Sequence, residues 1–242
     1  MPNILITGAA SGLGAEFMRL YCADSKNRVF ACDKDPVLDI AENVVKSQGD
    51  ITSLQYLSSL EELLKNIPID LVIHSVGIRG LVPTVEAVHP TDVARAESLE
   101  VMNEDIIART FQINTIGTFS LIKCLLPNLH QAYIANGRVC PKVIVMSSRM
   151  GSIGHNTSGG AYAYRMSKAA LNAMIRSFSF DISYATFLMV HPGRVETGLT
   201  KSREEGAIEA EESVASMLKL INFADKPHSG KFVDRFGVEI PW

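Results

Sequence analysis

Residues 4–14 read Ile4-Leu5-Ile6-Thr7-Gly8-Ala9-Ala10-Ser11-Gly12-Leu13-Gly14. The apolar run Ile4–Ile6 has the composition of a short buried strand, and Ala15-Glu16-Phe17-Met18-Arg19-Leu20 continues as a helix. Between them, Gly8, Gly12 and Gly14 make a turn with almost no side chains. Strand, glycine turn and helix together form a phosphate cradle. Glycine lets the backbone approach a pyrophosphate, and the free N–H groups at the helix start face the anion. The spacing is Gly-x3-Gly-x-Gly rather than Gly-x-Gly-x-x-Gly. An ordinary strand-to-helix turn would also use glycine, so the cradle needs support from elsewhere in the chain.

Support comes first from Arg28-Val29-Phe30-Ala31-Cys32, a second apolar segment that ends at Asp33. Asp33 stands 19 residues after Gly14, near the ~20-residue offset of a carboxylate that accepts hydrogen bonds from the adenosine ribose. Further strands are expected near 44–48, 69–75, 141–147, 187–191 and 231–234. They alternate with helical patterns near 99–126, 161–182 and 203–221. Such alternation predicts an α/β fold, a doubly wound parallel sheet with helices on both faces, in a single domain over 1–242.

Composition narrows the function. The 242 residues are 47% hydrophobic and 20% charged, with a net charge of −3 and no basic block, which argues against nucleic-acid binding. No segment approaches the ~18 apolar residues that cross a bilayer, and a strand beginning by residue 4 leaves no room for a secretory signal. Cys22, Cys32, Cys124 and Cys140 sit among apolar neighbours without a C-x-x-C pair. They read as small hydrophobes in a reducing, cytoplasmic setting. The histidines show no ligand spacing, and no metal is expected. The glutamates at 204, 205, 209, 211 and 212 read as a solvated helix face.

Tyr164 and Lys168 are four residues apart and therefore share a helix face, whereas Tyr162 falls on another side. A free tyrosine, with a pKa near ~10, is a poor base at neutral pH; an adjacent ammonium favours the phenolate. Tyr164 could then give a proton to a carbonyl or take one from an alcohol. Ser147-Ser148 closes the apolar run Val143–Met146, where ligands of parallel sheets gather.

In this order, Thr-Gly-x3-Gly-x-Gly at 7–14, Asn114, Ser147-Ser148, Tyr-x3-Lys at 164–168 and Pro192-Gly193 with Thr197 resemble the short-chain dehydrogenase/reductase family. Ser148–Gly154 and the close from Gly230 to Trp242 look most like its C-factor and sniffer branch. The resemblance implies a catalytic set of Asn114, Ser148, Tyr164 and Lys168, with Asn114 binding a water that links Lys168 to solvent. It implies cofactor contacts at Gly8, Ser11, Gly12, Leu13, Gly14, Asp33, Gly77, Tyr164, Lys168, Pro192 and Gly193. Val195 and Thr197 would grip the nicotinamide carboxamide, and Asp50-Ile51 would touch adenine, although Asp50 reads equally as a turn acid.

Two departures from the family pattern stand out. Ser148 precedes Tyr164 by 16 residues, about three more than usual, which leaves Ser152 as an alternative. His74-Ser75-Val76-Gly77 replaces Asn-Asn-Ala-Gly, putting local stability in question more than chemistry.

Asp33 would repel a 2′-phosphate, and Ala9-Ala10-Ser11 offer no cation beside the cradle, so NAD(H) is expected over NADP(H). Lys34 keeps NADP(H) open. The expected activity is hydride transfer between nicotinamide and a carbonyl or secondary alcohol, with a small-molecule substrate. Its pocket would lie among residues 79–82, 150–155 and a loop at about 198–212. The alternative is a dinucleotide-binding regulator acting through partner contacts. The family implies a homodimer or homotetramer through its two long helices.

Overall fold

A computed structural model describes residues 1–38 and 40–242. Seven strands form one parallel sheet in the order β3-β2-β1-β4-β5-β6-β7. They are β1 (Asn3–Thr7), β2 (Arg28–Asp33), β3 (Val44–Gln48), β4 (Leu71–His74), β5 (Lys142–Met146), β6 (Thr186–His191) and β7 (Lys231–Asp234). The order reverses between β1 and β4, so the carboxyl ends of those two strands flank an open crevice. The central strands are buried on both faces, which is why they read as continuous apolar runs rather than alternating ones.

One face is covered by α1 (Gly12–Cys22) and α8 (Ala210–Phe223), with Phe17, Met18, Val214 and Met217 against Ile6, Ile73 and Val190. The other is covered by α2 (Leu54–Leu63), α6 (Thr118–Ala135) and α7 (Tyr162–Asp181), with Leu60, Leu121, Leu125 and Ile175 against Leu5, Val72 and Phe187. The short helices α3 (Pro83–Val88) and α4 (Val93–Ala96) form a flap after β4. Among the described residues, no helix is long and apolar enough to cross a membrane.

Three expected boundaries move. The helix expected over 99–126 begins at Glu104, where the Asn103 side chain accepts the Ile106 N–H as a cap. This is α5 (Glu104–Phe111), and it widens into a π turn over Gln112–Gly117 before α6. The helix then runs on through Pro127 to Ala135. An interior proline costs about 3 kcal/mol. Burial of Leu125, Leu129 and Ala132, and Asn128 Nδ2 donating to the Leu64 and Ile67 carbonyls, outweigh it.

Residues 203–209 are not helical. Ile208 pairs with Val195 in a short bridge, and the amphipathic helix starts only at Ala210. Along α7, Leu171 is buried in the core and Ala173 is exposed.

The His-Ser departure is structurally compensated. Ser75 Oγ donates to the Thr7 carbonyl at 2.6 Å, tying the end of β4 to β1. His74 is fully enclosed, with Nδ1 2.8 Å from Thr7 Oγ1 and Nε2 2.8 Å from Thr118 Oγ1. Burial, and then the positive charge of Lys168, push its pKa down from 6.5 to about 3. The unfolded chain therefore binds a proton that the native state refuses between those values. Stability held above pH 6.5 is lost as the pH falls toward 3, at up to ~1.4 kcal/mol per unit. Denaturant titrations between pH 7 and 4 should show this loss, and His74→Asn should flatten it. An equally steep profile in the variant would clear His74 of the effect.

Candidate functional site

Two adjoining clefts open at the carboxyl ends of the strands. The first is lined by Gly8, Ser11, Gly12 and Gly14, by Asp33, Asp50 and Ile51, and by Ser75, Gly77 and Lys168. Its floor is the β1–α1 turn. Gly8 and Gly12 hold φ values of +72° and +53°, and a Cβ at Gly14 would lie 2.1 Å from the Gly8 carbonyl oxygen. A Cβ at Gly12 would meet Thr197 Cγ2 at 3.1 Å, so the segment after β6 folds directly over the turn. Bare backbone and the N-terminus of an 11-residue helix thus face the crevice, the arrangement that suits a dinucleotide pyrophosphate.

Asp33 stands at the end of β2. Its Oδ2 accepts from the Ala10 N–H at 2.9 Å and its Oδ1 from the Asp35 N–H at 3.0 Å. Each oxygen keeps lone-pair capacity for a ribose hydroxyl. Lys34 is exposed and lies 3.4 Å from the Asp35 carboxylate. Asp50 lines the cleft, and its Oδ1 accepts from Thr52 N and Oγ1 within a turn.

The second cleft, of about 530 Å³, is lined by Ser148, Arg149, His155, Arg194, Leu199 and Arg235 among others. Leu13, Ser147, Tyr164, Pro192, Thr197 and Leu199 line both clefts, so the two meet at Tyr164. Tyr162 lines neither cleft. Part of the expected substrate loop closes the second cleft, its base fixed by Glu196 N donating to the Ile208 carbonyl and Ile208 N to that of Arg194.

The serines divide by partner. Ser147 Oγ is spent on Asn172 Oδ1 at 2.6 Å, and Ser152 Oγ on the Pro241 carbonyl. Ser152 is absent from the cleft lining. Ser148 Oγ accepts from the Met150 N–H at 3.2 Å and stands near enough to Tyr164 to lower its pKa.

Lys168 is buried, and its Nζ donates to the Met146 carbonyl at 2.9 Å. Burial lowers its pKa from 10.5 to about 8, so it is still mostly protonated at pH 7. Asn114 sits in the π turn, and its side chain crosses to Ile78, accepting from its N–H at 2.8 Å and donating to its carbonyl at 2.9 Å. Its Nδ2 also donates to Ser167 Oγ at 3.0 Å. Gly77 lies between Asn114 and Lys168: a Cβ there would be 3.3 Å from Asn114 Oδ1 and 3.5 Å from Lys168 Nζ.

The electrostatics of Tyr164 differ from the expectation. Burial raises its pKa above 10, and the largest opposing influence is Arg79, followed by the nearby Ser148 hydroxyl. The Arg79 guanidinium lies over the phenol ring at 5.0 Å from its centre, closer than Lys168 Nζ at 5.8 Å. Arg79 is held by a two-pronged pair with Glu97, Nε to Oε2 at 2.7 Å and NH2 to Oε1 at 2.9 Å, both side chains largely buried. No motif in the sequence announces this pair. Arg79→Met would strand the Glu97 carboxylate and should cost about 3–5 kcal/mol in chemical denaturation. Adding Glu97→Leu should recover most of it. A single-variant loss under about 1 kcal/mol would show the pair to be dispensable.

Comparison with known proteins bears on the fold and the family. The family model for short chain dehydrogenase matches residues 2–207. C-signal of Myxococcus xanthus is 38% identical over 177 residues, covering 72% of this chain and 93% of that protein. A 1-hydroxy-2-glutathionyl-2-methyl-3-butene dehydrogenase of Rhodococcus sp. strain AD45 is 30% identical over the full length of both. Among solved structures, an NADPH-bound carbonyl reductase from chicken fatty liver superposes with a TM-score of 0.83 at 27% identity, covering 100% of this chain and 99% of its own. The carbonyl reductase Sniffer of D. melanogaster gives 0.82 at 25% identity over the whole of both chains. The chain belongs to the short-chain dehydrogenase/reductase family of oxidoreductases.

Proposed function

We propose that this protein is an NAD(H)-dependent oxidoreductase acting between a carbonyl and a secondary alcohol, with Tyr164 as the general acid/base. The observation that carries the reading is the meeting of the glycine-floored cleft and the second cleft at Tyr164. A bound nicotinamide dinucleotide would supply or accept the hydride.

The chain's own residues would do the rest. Gly8, Ser11, Gly12, Leu13 and Gly14 would hold the pyrophosphate, Asp33 the adenosine ribose, and Asp50 and Ile51 the adenine. Gly77, Pro192, Gly193, Val195 and Thr197 would hold the nicotinamide half. Ser148, beside Tyr164, orients the substrate oxygen. Tyr164 donates its phenolic proton to that oxygen during reduction and removes one during oxidation. Lys168 and Arg79 stabilise the resulting phenolate, offsetting the burial that opposes it. Asn114 fixes the Ile78 backbone beside Lys168, and its Oδ1 keeps lone-pair capacity for a water that refills the proton.

Asp33 carries the cofactor preference. A 2′-phosphate beside its carboxylate would place two anions in contact with no cation from residues 9–11. The NADPH in the chicken reductase belongs to that protein's own site. A regulator acting through partner contacts alone is the weaker reading, because such a role has no need of a buried lysine and phenol at a cleft junction.

Tyr164→Phe should bind NADH normally and turn over at least about a hundredfold more slowly, as stopped-time carbonyl reduction would report. Retained turnover would remove Tyr164 from the chemistry. Asp33→Ser should gain NADPH use in the same assay; an unchanged ratio of NADH to NADPH activity would remove Asp33 from cofactor choice.

A further inference from the structure

Five of the twelve arginines, in a chain of net charge −3, line the second cleft: Arg79, Arg149, Arg165, Arg194 and Arg235. The acids lining it are Glu204 and Asp234. Such a concentration of one sign against the overall charge needs a counterpart. Arg79 has one in Glu97. Arg165 donates to the carbonyls of Gly159 and Gly160, and Arg194 to that of Glu205.

The wall made by the ends of β5, β6 and β7 is different. Arg149 follows Ser148, and its NH2 reaches Asp234 only at 4.0 Å. Asp234 is already accepting from the Phe236 and Val238 N–H groups. Arg235 gives NH2 to the exposed Glu212 at 2.9 Å, while its NH1 is shielded from water with no hydrogen-bond partner among the described residues. His191, paired in register with Asp234, also has a shielded ring nitrogen, Nδ1, without a partner among them. Burial, with Arg149 and Arg235 nearby, lowers its pKa to about 4, so the ring is neutral at pH 7. Unmade hydrogen bonds on shielded polar groups are costly and uncommon in native structures. Two on adjacent strand ends, beside a loosely held arginine, mark groups prepared for a ligand.

None of these three residues lines the glycine-floored cleft, so the phosphates of a dinucleotide in that cleft do not account for them. They share the second cleft with Ser148 and Tyr164.

We propose that Arg149, His191 and Arg235 form an oxyanion subsite, and that the substrate is a carbonyl or alcohol compound bearing a carboxylate or phosphate ester. This substrate class rests on the oxidoreductase reading above; the anion site itself does not. Arg235 offers a planar fork suited to a carboxylate or phosphate, Arg149 adds a second cation from the half-exposed rim, and the neutral imidazole can add a hydrogen bond. The substrate's reacting carbon would then be set toward Ser148 and Tyr164 by an anchor at its other end.

Calorimetric titration of the purified protein with benzoate, phenyl phosphate and uncharged benzamide, in a buffer free of phosphate and carboxylate, tests the subsite without requiring turnover. At least one anion should bind at least tenfold more tightly than benzamide, and the preference between the two identifies carboxylate or phosphate as the source. Its affinity should fall at least tenfold in Arg235→Met, fall in the more exposed Arg149→Met, and be partly restored in Arg235→Lys. Thermal melting would check that each variant is folded. Equal binding of all three probes, or unchanged anion affinity in both methionine variants, would overturn the subsite. Reduction of neutral benzaldehyde with NADH, run on the same preparation, reports separately on the oxidoreductase reading.

Discussion

A methyl group at position 14 would sit 2.1 Å from the Gly8 carbonyl oxygen and 2.7 Å from Ser75 Oγ. The turn between β1 and α1 can close only if that atom is missing. Once it closes, the first helix starts directly above the crevice where the strand order reverses, and Ser75 can tie β4 to β1 through the Thr7 carbonyl. Everything else at the site is positioned against this contact. Asp33 reaches back to the Ala10 N–H, and the segment after β6 lays Thr197 against Gly12. The carboxyl ends of β5, β6 and β7 are thereby left to wall a second space on the far side of Tyr164.

That division gives each half of the molecule a distinct electrostatic character. The glycine-floored cleft relies on backbone N–H groups, a helix terminus and the carboxylates of Asp33, Asp35 and Asp50. The adjoining cleft relies on arginine side chains. Tyr164 lies where they meet, deeply buried, and burial alone would make it a worse acid than free tyrosine. Two features oppose that: the Arg79 guanidinium over its ring and the nearby Ser148 hydroxyl; Lys168 Nζ stands 5.8 Å from the ring centre. A phenol used as a proton donor and acceptor needs such compensation, whereas one used only for packing does not.

Local features were legible in the chain, and through-space ones were not. The glycine spacing, the strand runs and the shared face of Tyr164 and Lys168 are set by neighbours within a few residues, and the fold and family followed from them. The Arg79–Glu97 pair spans 18 positions and joins two loops, so no periodicity reveals it. The helix expected over 203–221 failed at its start because Ile208 has the apolar spacing of a helix yet is held by Val195 in a bridge. The helix expected to end near 126 continues through Pro127, carried by the packing of Leu129 and Ala132. The π turn that carries Asn114 ends at Gly117, where a Cβ would press on Ile51 at 3.1 Å, a through-space contact that no local pattern reveals. The choice of Ser148 over Ser152 came from family resemblance; the structure supplies a physical ground, since Ser152 is bound to Pro241.

Two clefts converge on Tyr164, where a nicotinamide and a substrate oxygen would meet. A crystal structure of the protein grown with NADH would decide this. The pyrophosphate is expected against Gly12–Gly14, the ribose on Asp33, and the nicotinamide ring beside Thr197 with its C4 facing Tyr164 and Ser148. A dinucleotide bound away from the glycine turn, or a nicotinamide directed away from Tyr164, would contradict it.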